Sequence, residues 1–256
     1  MPSSPRPARI ADEVRYLLFG CAVPAALFGL LGWYNLVRLR AYVFGADRVH
    51  SLGALLSGPI ERGLYLLFVS IPVFVYITRP RAIRRAGGLA PRAAAFVGTL
   101  MLLVFPAFFD AGTRIATPPV FVHAIADVTG VVFSTFGVYA LLYLRNNFSI
   151  IPEARRFVTA GPYRYVRHPV YVAEIGVAVS LALQGDLHIW STLILVPFVG
   201  VQIVRSRFEE RLLGNTFPGY NEYRDHTGAF LPLASHEALG GRDHNEGLAH
   251  GAGRFT

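Results

Sequence analysis

Lysine is absent from this chain: all 24 basic residues are arginine, a uniformity that points to codon bias rather than to a surface built for phosphate. Charge of either sign is scarce, at 16% of residues against about 25% in an average soluble domain. So few charged groups cannot coat a globule of 256 residues, and the reading that follows is that lipid takes the place of water over much of the surface. Cysteine occurs once, at Cys21, which excludes an intramolecular disulfide and makes no provision for a cysteine-based metal site. The net charge of +8 does not indicate nucleic acid, because no basic stripe lies on a soluble domain and many arginines flank apolar runs instead.

What the chain has in abundance is apolar sequence: 53% hydrophobic residues, 13% aromatics and a mean hydropathy of +0.43. Six stretches stand out, at Tyr16–Leu36, Gly63–Thr78, Ala93–Phe109, Val120–Leu144, Val170–Leu183 and His188–Val204. The first is long enough to span a hydrocarbon core of about 30 Å and too long for a signal-peptide core, so it is expected to be a retained membrane helix. The last two form a tight pair around Gln184, Gly185 and Asp186. These patterns predict an all-α, polytopic integral membrane bundle of about six spans, ending in amphipathic helices. Three regions are expected: spans one to four in residues 1–144, a chemistry-bearing region in 145–232, and a disordered tail in 233–256 that is poor in large apolar groups.

Arginine also orients the bundle. Arg79, Arg81, Arg84, Arg85 and Arg92 separate the second and third spans, and Arg145, Arg155, Arg156, Arg164 and Arg167, with Glu153, separate the fourth and fifth. Positive-inside reasoning places both loops and both termini in the cytoplasm, against the opposing vote of Arg38, Arg40, Arg48 and Arg62.

Unusual residues gather in two places on that face. The first is the run Gly161-Pro162-Tyr163-Arg164-Tyr165-Val166-Arg167-His168-Pro169-Val170-Tyr171. Pro169 suits the first turn of the fifth helix, whose N-terminal donors and positive dipole end, beside Arg167 and His168, make a seat for an anion. Glu174 follows one turn on. A charged side chain inside a span costs about 2.5–3.5 kcal/mol on insertion scales and usually has a role. The second cluster follows the sixth span: Arg205, spaced to pair with Glu209 on a helix, then Glu210, Leu213, Phe217, Tyr220 and Tyr223. Leu213, Phe217 and Tyr220 make an apolar stripe that either lies on the membrane or covers the first cluster, with Pro218 opening a short helix and Gly228 stopping it. Taken singly, each cluster also reads as interfacial anchors and a solvated helix face.

Together, with Arg145-Asn146-Asn147-Phe148-Ser149 before them, the two clusters resemble the isoprenylcysteine carboxyl methyltransferase and phospholipid methyltransferase superfamily over about residues 144–232. The chain departs from that pattern at Pro218, where members often have Gly, and at Ala229, where they tend to have Arg. The resemblance implies S-adenosylmethionine as cofactor, held by His168, Pro169, Tyr171, Glu209, Glu210 and Tyr220. It also implies Arg167, Glu174 and Arg205 as the catalytic set, no metal, and a lipophilic methyl acceptor arriving from the bilayer. With a carboxylate acceptor, Arg205 or Arg167 would position it; with an amine, Glu174 or His168 would take the proton. Two rivals stand beside this reading: an NADPH-dependent membrane reductase of the sterol or steroid type, with a similar His-Pro-Tyr neighbourhood, and a non-catalytic membrane protein that keeps the fold. His123 and Asp127, one turn apart, read as a structural pair, and His236, His244 and His250 as tail residues without a metal role.

Overall fold

The computed structural model describes residues 16–44, 59–104, 119–184 and 189–233. The tail, its histidines and the turn at Gly185 and Asp186 lie outside the described residues. So do Asp47 and Arg48.

Helix follows the apolar runs. Helix α1 covers residues 16–44, opening as a π-helix at Tyr16–Ala22 and continuing as α-helix at Val23–Phe44. Then come α2 (Glu61–Thr78), α3 (Ala90–Val104), α4 (Val120–Leu144), α5 (Pro169–Gln184), α6 (Ile189–Gly214) and the short α7 (Tyr220–His226). The second, fourth and fifth expected spans coincide with α2, α4 and α5 within a residue or two. The sixth does not stop at Val204: α6 runs on to Gly214 without a break and carries Arg205, Glu209 and Glu210 on one rigid rod.

Two segments, Tyr16–Val37 and Phe121–Asn147, are long and apolar enough to cross a membrane; Arg62–Thr78 and Pro169–Gln184 are shorter apolar helices. Among the described residues, two of the six expected spans thus have full length and two coincide with shorter apolar helices, while the end of the third expected span, at 105–109, lies outside the described residues. The outer faces match a lipid setting: Leu30, Trp33, Phe74, Ile77, Phe121 and Val196 are all more than 60% exposed. Outward apolar faces on this scale are costly in water and normal against acyl chains.

Helix α4 packs along α5 and α2, α1 along α2, and α3 along α6. Small residues set the closest approaches, as membrane helix interfaces favour. A Cβ at Gly176 of α5 would fall 2.1 Å from the Phe133 ring of α4, and one at Gly137 of α4 would fall 2.9 Å from Phe68 of α2. Tyr76, Phe28 and Phe148 interlock as an aromatic knot, with the Ile150 amide donating to the Tyr76 hydroxyl at 2.7 Å.

At one end of the bundle the two arginine-rich loops meet. β1 (Arg84–Arg85) pairs antiparallel with β2 (Glu153–Ala154). The Glu153 side chain, only 6% exposed, accepts ion pairs from Arg79 at 3.3 Å, Arg85 at 3.1 Å and Arg155 at 2.5 Å, and a hydrogen bond from Ser149. One carboxylate thus ties together two loops that are well separated in sequence. The stripe that begins in the last turn of α6 turns inward rather than toward lipid: Leu213 and Phe217 pack with Ala86, Ala154 and Leu212 under that ribbon.

Candidate active site

The site is built by the approach to α5. Gly161 has φ +62°, and a Cβ there would lie 2.5 Å from the Tyr143 ring, so both backbone and space require glycine. The 3₁₀ turn Gly161–Arg164 buries Tyr163 and delivers Arg167 and His168 to the start of α5. Proline at position 169 starts the helix without an orphaned N–H. The donors just before it are already met by the C-terminal segment: Arg167 N–H donates to Gly228 O at 2.8 Å and His168 N–H to Ala229 O at 3.0 Å. Phe230 then lies 5.7 Å from the His168 ring. A Cβ at Gly228 would sit 1.8 Å from the Leu231 carbonyl, so this strap turns too sharply for any side chain.

Because α5 and α6 run antiparallel, successive turns of α5 meet successively earlier residues of α6. His168 Nε2 lies 2.9 Å from Glu210 Oε1. One turn on, the Tyr171 hydroxyl donates to Glu209 Oε2 at 3.1 Å. A turn further, Glu174 Oε2 accepts from Gln202 Nε2 at 2.7 Å and pairs with Arg205 Nη1 at 3.5 Å. Arg205 Nη1 also donates to Gln202 Oε1 at 2.8 Å, and the guanidinium stands 4.9 Å over the Tyr171 ring. Its room comes from α3, where a Cβ at Gly98 would fall 2.9 Å from the Arg205 stem.

The rungs differ in what they leave open. Arg167 Nε donates to Glu210 Oε1 at 2.8 Å, while its Nη1 reaches the carbonyls of Arg224 and Thr227, so this arginine clamps α5, α6 and α7 together. Burial works against ionisation of Glu210, but hydrogen bonds from His168 and Arg167 outweigh it and hold the carboxyl below the usual carboxylate range. Glu209 is the more open member of the doublet, its side chain 36% exposed. It lines a pocket with Tyr163, His168, Tyr171 and Arg205, to which Asn147, Phe148 and Glu153 also contribute.

The structure therefore gathers Arg167, His168, Pro169, Tyr171, Arg205 and Glu209 around one pocket. Glu210 stands behind the wall on His168 and Arg167. Tyr220 is 2% exposed and packs on Phe157 and Tyr223 at ring distances of 5.7 and 5.9 Å, supporting the site from behind. Glu174 lies a turn deeper. The expected Arg205–Glu209 pairing within α6 is replaced by pairing across the hairpin.

Three residues were not assigned to the site from the sequence. Gln202 could have been found as an amide inside an apolar run, the same signal that marked Glu174. Glu153 read only as a lone acid among arginines, because its partners come from a distant loop. Tyr163 has a buried hydroxyl with no hydrogen-bond partner, and burial pushes that hydroxyl well above its ordinary value, with Glu209 adding to the effect. Away from the pocket, Asp127 accepts from Gln184 Nε2 at 3.2 Å, joining α4 to the end of α5.

Comparison with known proteins finds a resemblance over the part of the chain that contains this hairpin. The family whose model matches is phospholipid methyltransferase, over residues 120–219, from the start of α4 to the turn before α7. Two curated relatives share 29% identity over 107 residues, 41% of this chain. They are the nickel-cobalt-cadmium resistance protein NccN of Alcaligenes xylosoxydans xylosoxydans, 48% of whose length is covered, and the cobalt-zinc-cadmium resistance protein CzcN of Cupriavidus metallidurans, 47% covered. The chain spans about half the length of these relatives.

Proposed function

We propose that this protein is an integral membrane methyltransferase that moves a methyl group from S-adenosylmethionine to a lipophilic carboxylate or amine, with its pocket open to the cytoplasm. The observation that carries the reading is the convergence of His168, Tyr171, Arg205 and Glu209 on one pocket.

The residues present fit the cofactor. It carries a carboxylate, an ammonium, ribose hydroxyls and a sulfonium, and the pocket offers an open carboxylate in Glu209, a partnerless hydroxyl in Tyr163 and the aromatic ring of Tyr171. Glu209 suits the ammonium or the ribose, and Tyr171 offers a π-face to a cation. When bound, S-adenosylmethionine supplies a methyl group activated by positive sulfur. The protein's part is alignment and exclusion of water. The Arg167–Glu210–His168 lock fixes the mouth of α5, and the Gly228–Phe230 strap closes over it. Arg205, held by Glu174, Gln202 and the Tyr171 ring, marks the inner limit of the pocket. Both arginine-rich loops lie at the same end as this mouth, which agrees with a cytosolic entry for a soluble cofactor.

Incubating membranes that contain the full-length protein with methyl-labelled S-adenosylmethionine tests the proposal. Label is expected to enter membrane lipid or protein with the wild type, and to fall at least 10-fold with Glu209→Ala. Equal labelling in membranes lacking the protein would overturn it.

A further inference from the structure

The connection between α2 and α3 carries more positive charge than the protein answers. Residues 79–92 hold five arginines and no acid. Arg79 turns inward to Glu153, but Arg81, Arg84, Arg85 and Arg92 are exposed. Glu153 is shared among Arg79, Arg85 and Arg155, so one carboxylate serves three guanidinium groups. Arg81 and Arg85 also crowd one ring, their guanidinium carbons 5.9 and 4.3 Å from the centroid of Tyr16. The loop paired with this one adds exposed Arg145, Arg156 and Arg164, and no acid besides Glu153. Like charges gathered this closely repel, and an anion drawn from outside relieves them.

This surface is built rather than loose. β1 pairs with β2, Arg84 Nη1 donates to the Asn215 carbonyl at 3.0 Å, and Ala86 is buried against Leu212. That scaffold holds two large apolar side chains outward: Ile83 is 69% exposed and Leu89 80%. The helices on either side carry exposed apolar residues as well, Phe74 and Ile77 near the end of α2 and Val97 and Leu100 in α3. Aliphatic groups interleaved with arginine suit a segment lying in a bilayer interface, with apolar groups among acyl chains and guanidiniums among headgroups. A nucleic acid answers the arginines but leaves Ile83 and Leu89 without an apolar partner. An anionic phospholipid answers both.

We propose that the segment 81–92 docks on the headgroups of anionic phospholipids, its exposed arginines meeting phosphate while Ile83 and Leu89 enter the acyl boundary. The planar guanidinium fork matches phosphate oxygens in pairs. A basic residue close to an anionic leaflet strengthens the attraction about five-fold, and the attraction fades beyond a Debye length, so the contact is sensitive to salt. The segment lies outside the residues matched to the phospholipid methyltransferase family. The inference stands apart from the methyl-transfer reading: a headgroup held here is a fixed neighbour of the protein and not the methyl acceptor.

The test uses the full-length protein in lipid nanodiscs. Cys21→Ser removes the single native cysteine, and a fluorophore is attached through Ile83→Cys. Phosphatidylglycerol with brominated acyl chains is expected to quench that fluorophore at least 3-fold more strongly than phosphatidylcholine brominated in the same way. The ratio is expected to fall to near parity in high salt, and likewise when Arg81→Gln and Arg92→Gln are combined, neither arginine lining the pocket. Leu89→Cys provides a second labelling position with the same expected preference, and helical circular dichroism checks the fold at both. Equal quenching by the two lipids, or quenching by neither, would overturn the inference. Loss of the preference on adding inorganic phosphate, but not chloride at the same ionic strength, would mark a site for free phosphate and overturn the lipid assignment.

Discussion

At the scale of single residues, the two glutamates of the doublet look interchangeable in sequence and are not. Glu210 is held by His168 and Arg167 at hydrogen-bond distance, whereas Glu209 accepts from the Tyr171 hydroxyl, stands 4.0 Å from His168 Nδ1 and is the more exposed of the two. Glu210→Gln removes the carboxylate that answers the largely buried Arg167 guanidinium and is expected to cost about 2–4 kcal/mol, near the lower end for a broken buried pair, read as a lower melting temperature in detergent. Glu209→Gln is expected to leave melting within about 0.5 kcal/mol, as surface changes do, and to weaken S-adenosylhomocysteine binding at least 10-fold. The lowered pKa of Glu210 gives this contrast a pH signature. A carboxyl depressed in the folded state contributes stability that is fully present above its unfolded value of about 4.3 and is lost as pH falls through the folded value. The melting gap between wild type and Glu210→Gln is therefore expected to stay constant from neutral pH down to about 4.3 and to close only below it. A gap that closes already between pH 7 and 5 would mean that Glu210 is not held as described.

At the scale of elements, the site depends on how closely α5 sits against its neighbours. Gly176→Leu is expected to force α4 and α5 apart at Phe133, with an overpacking cost of about 1–3 kcal/mol and loss of cofactor binding. Cleaving the chain after Thr227 removes the Gly228 and Ala229 carbonyls that accept from the Arg167 and His168 amides, and should abolish binding while α1 to α6 keep their helical circular dichroism. Elements of this kind were largely legible beforehand. The unbroken apolar run Val120–Leu144 coincides with α4, and proline at the head of α5 marked its start, because both are local properties of the chain. The continuation of α6 through Arg205 and the glutamates was not, since hydropathy falls at Val204 while helical geometry does not. The partners of Arg205 and Glu153 were hidden for a related reason. Arg205 and Glu209 have helical spacing, yet the facing turn of α5 offers Glu174 in a drier setting, and only the antiparallel register of the hairpin reveals that choice.

At the scale of the molecule, the two arginine-rich loops share one end of the bundle through the Glu153 node, and the mouth of the pocket opens beside them. This mouth is expected to admit a nucleoside carrying both an ammonium and a carboxylate. The direct measurement is calorimetric binding to the purified full-length protein, comparing S-adenosylhomocysteine with NADPH. Saturable, equimolar binding of S-adenosylhomocysteine, weakened at least 10-fold by Glu209→Gln, with no heat from NADPH, is the predicted result; binding of NADPH with none of S-adenosylhomocysteine would contradict it.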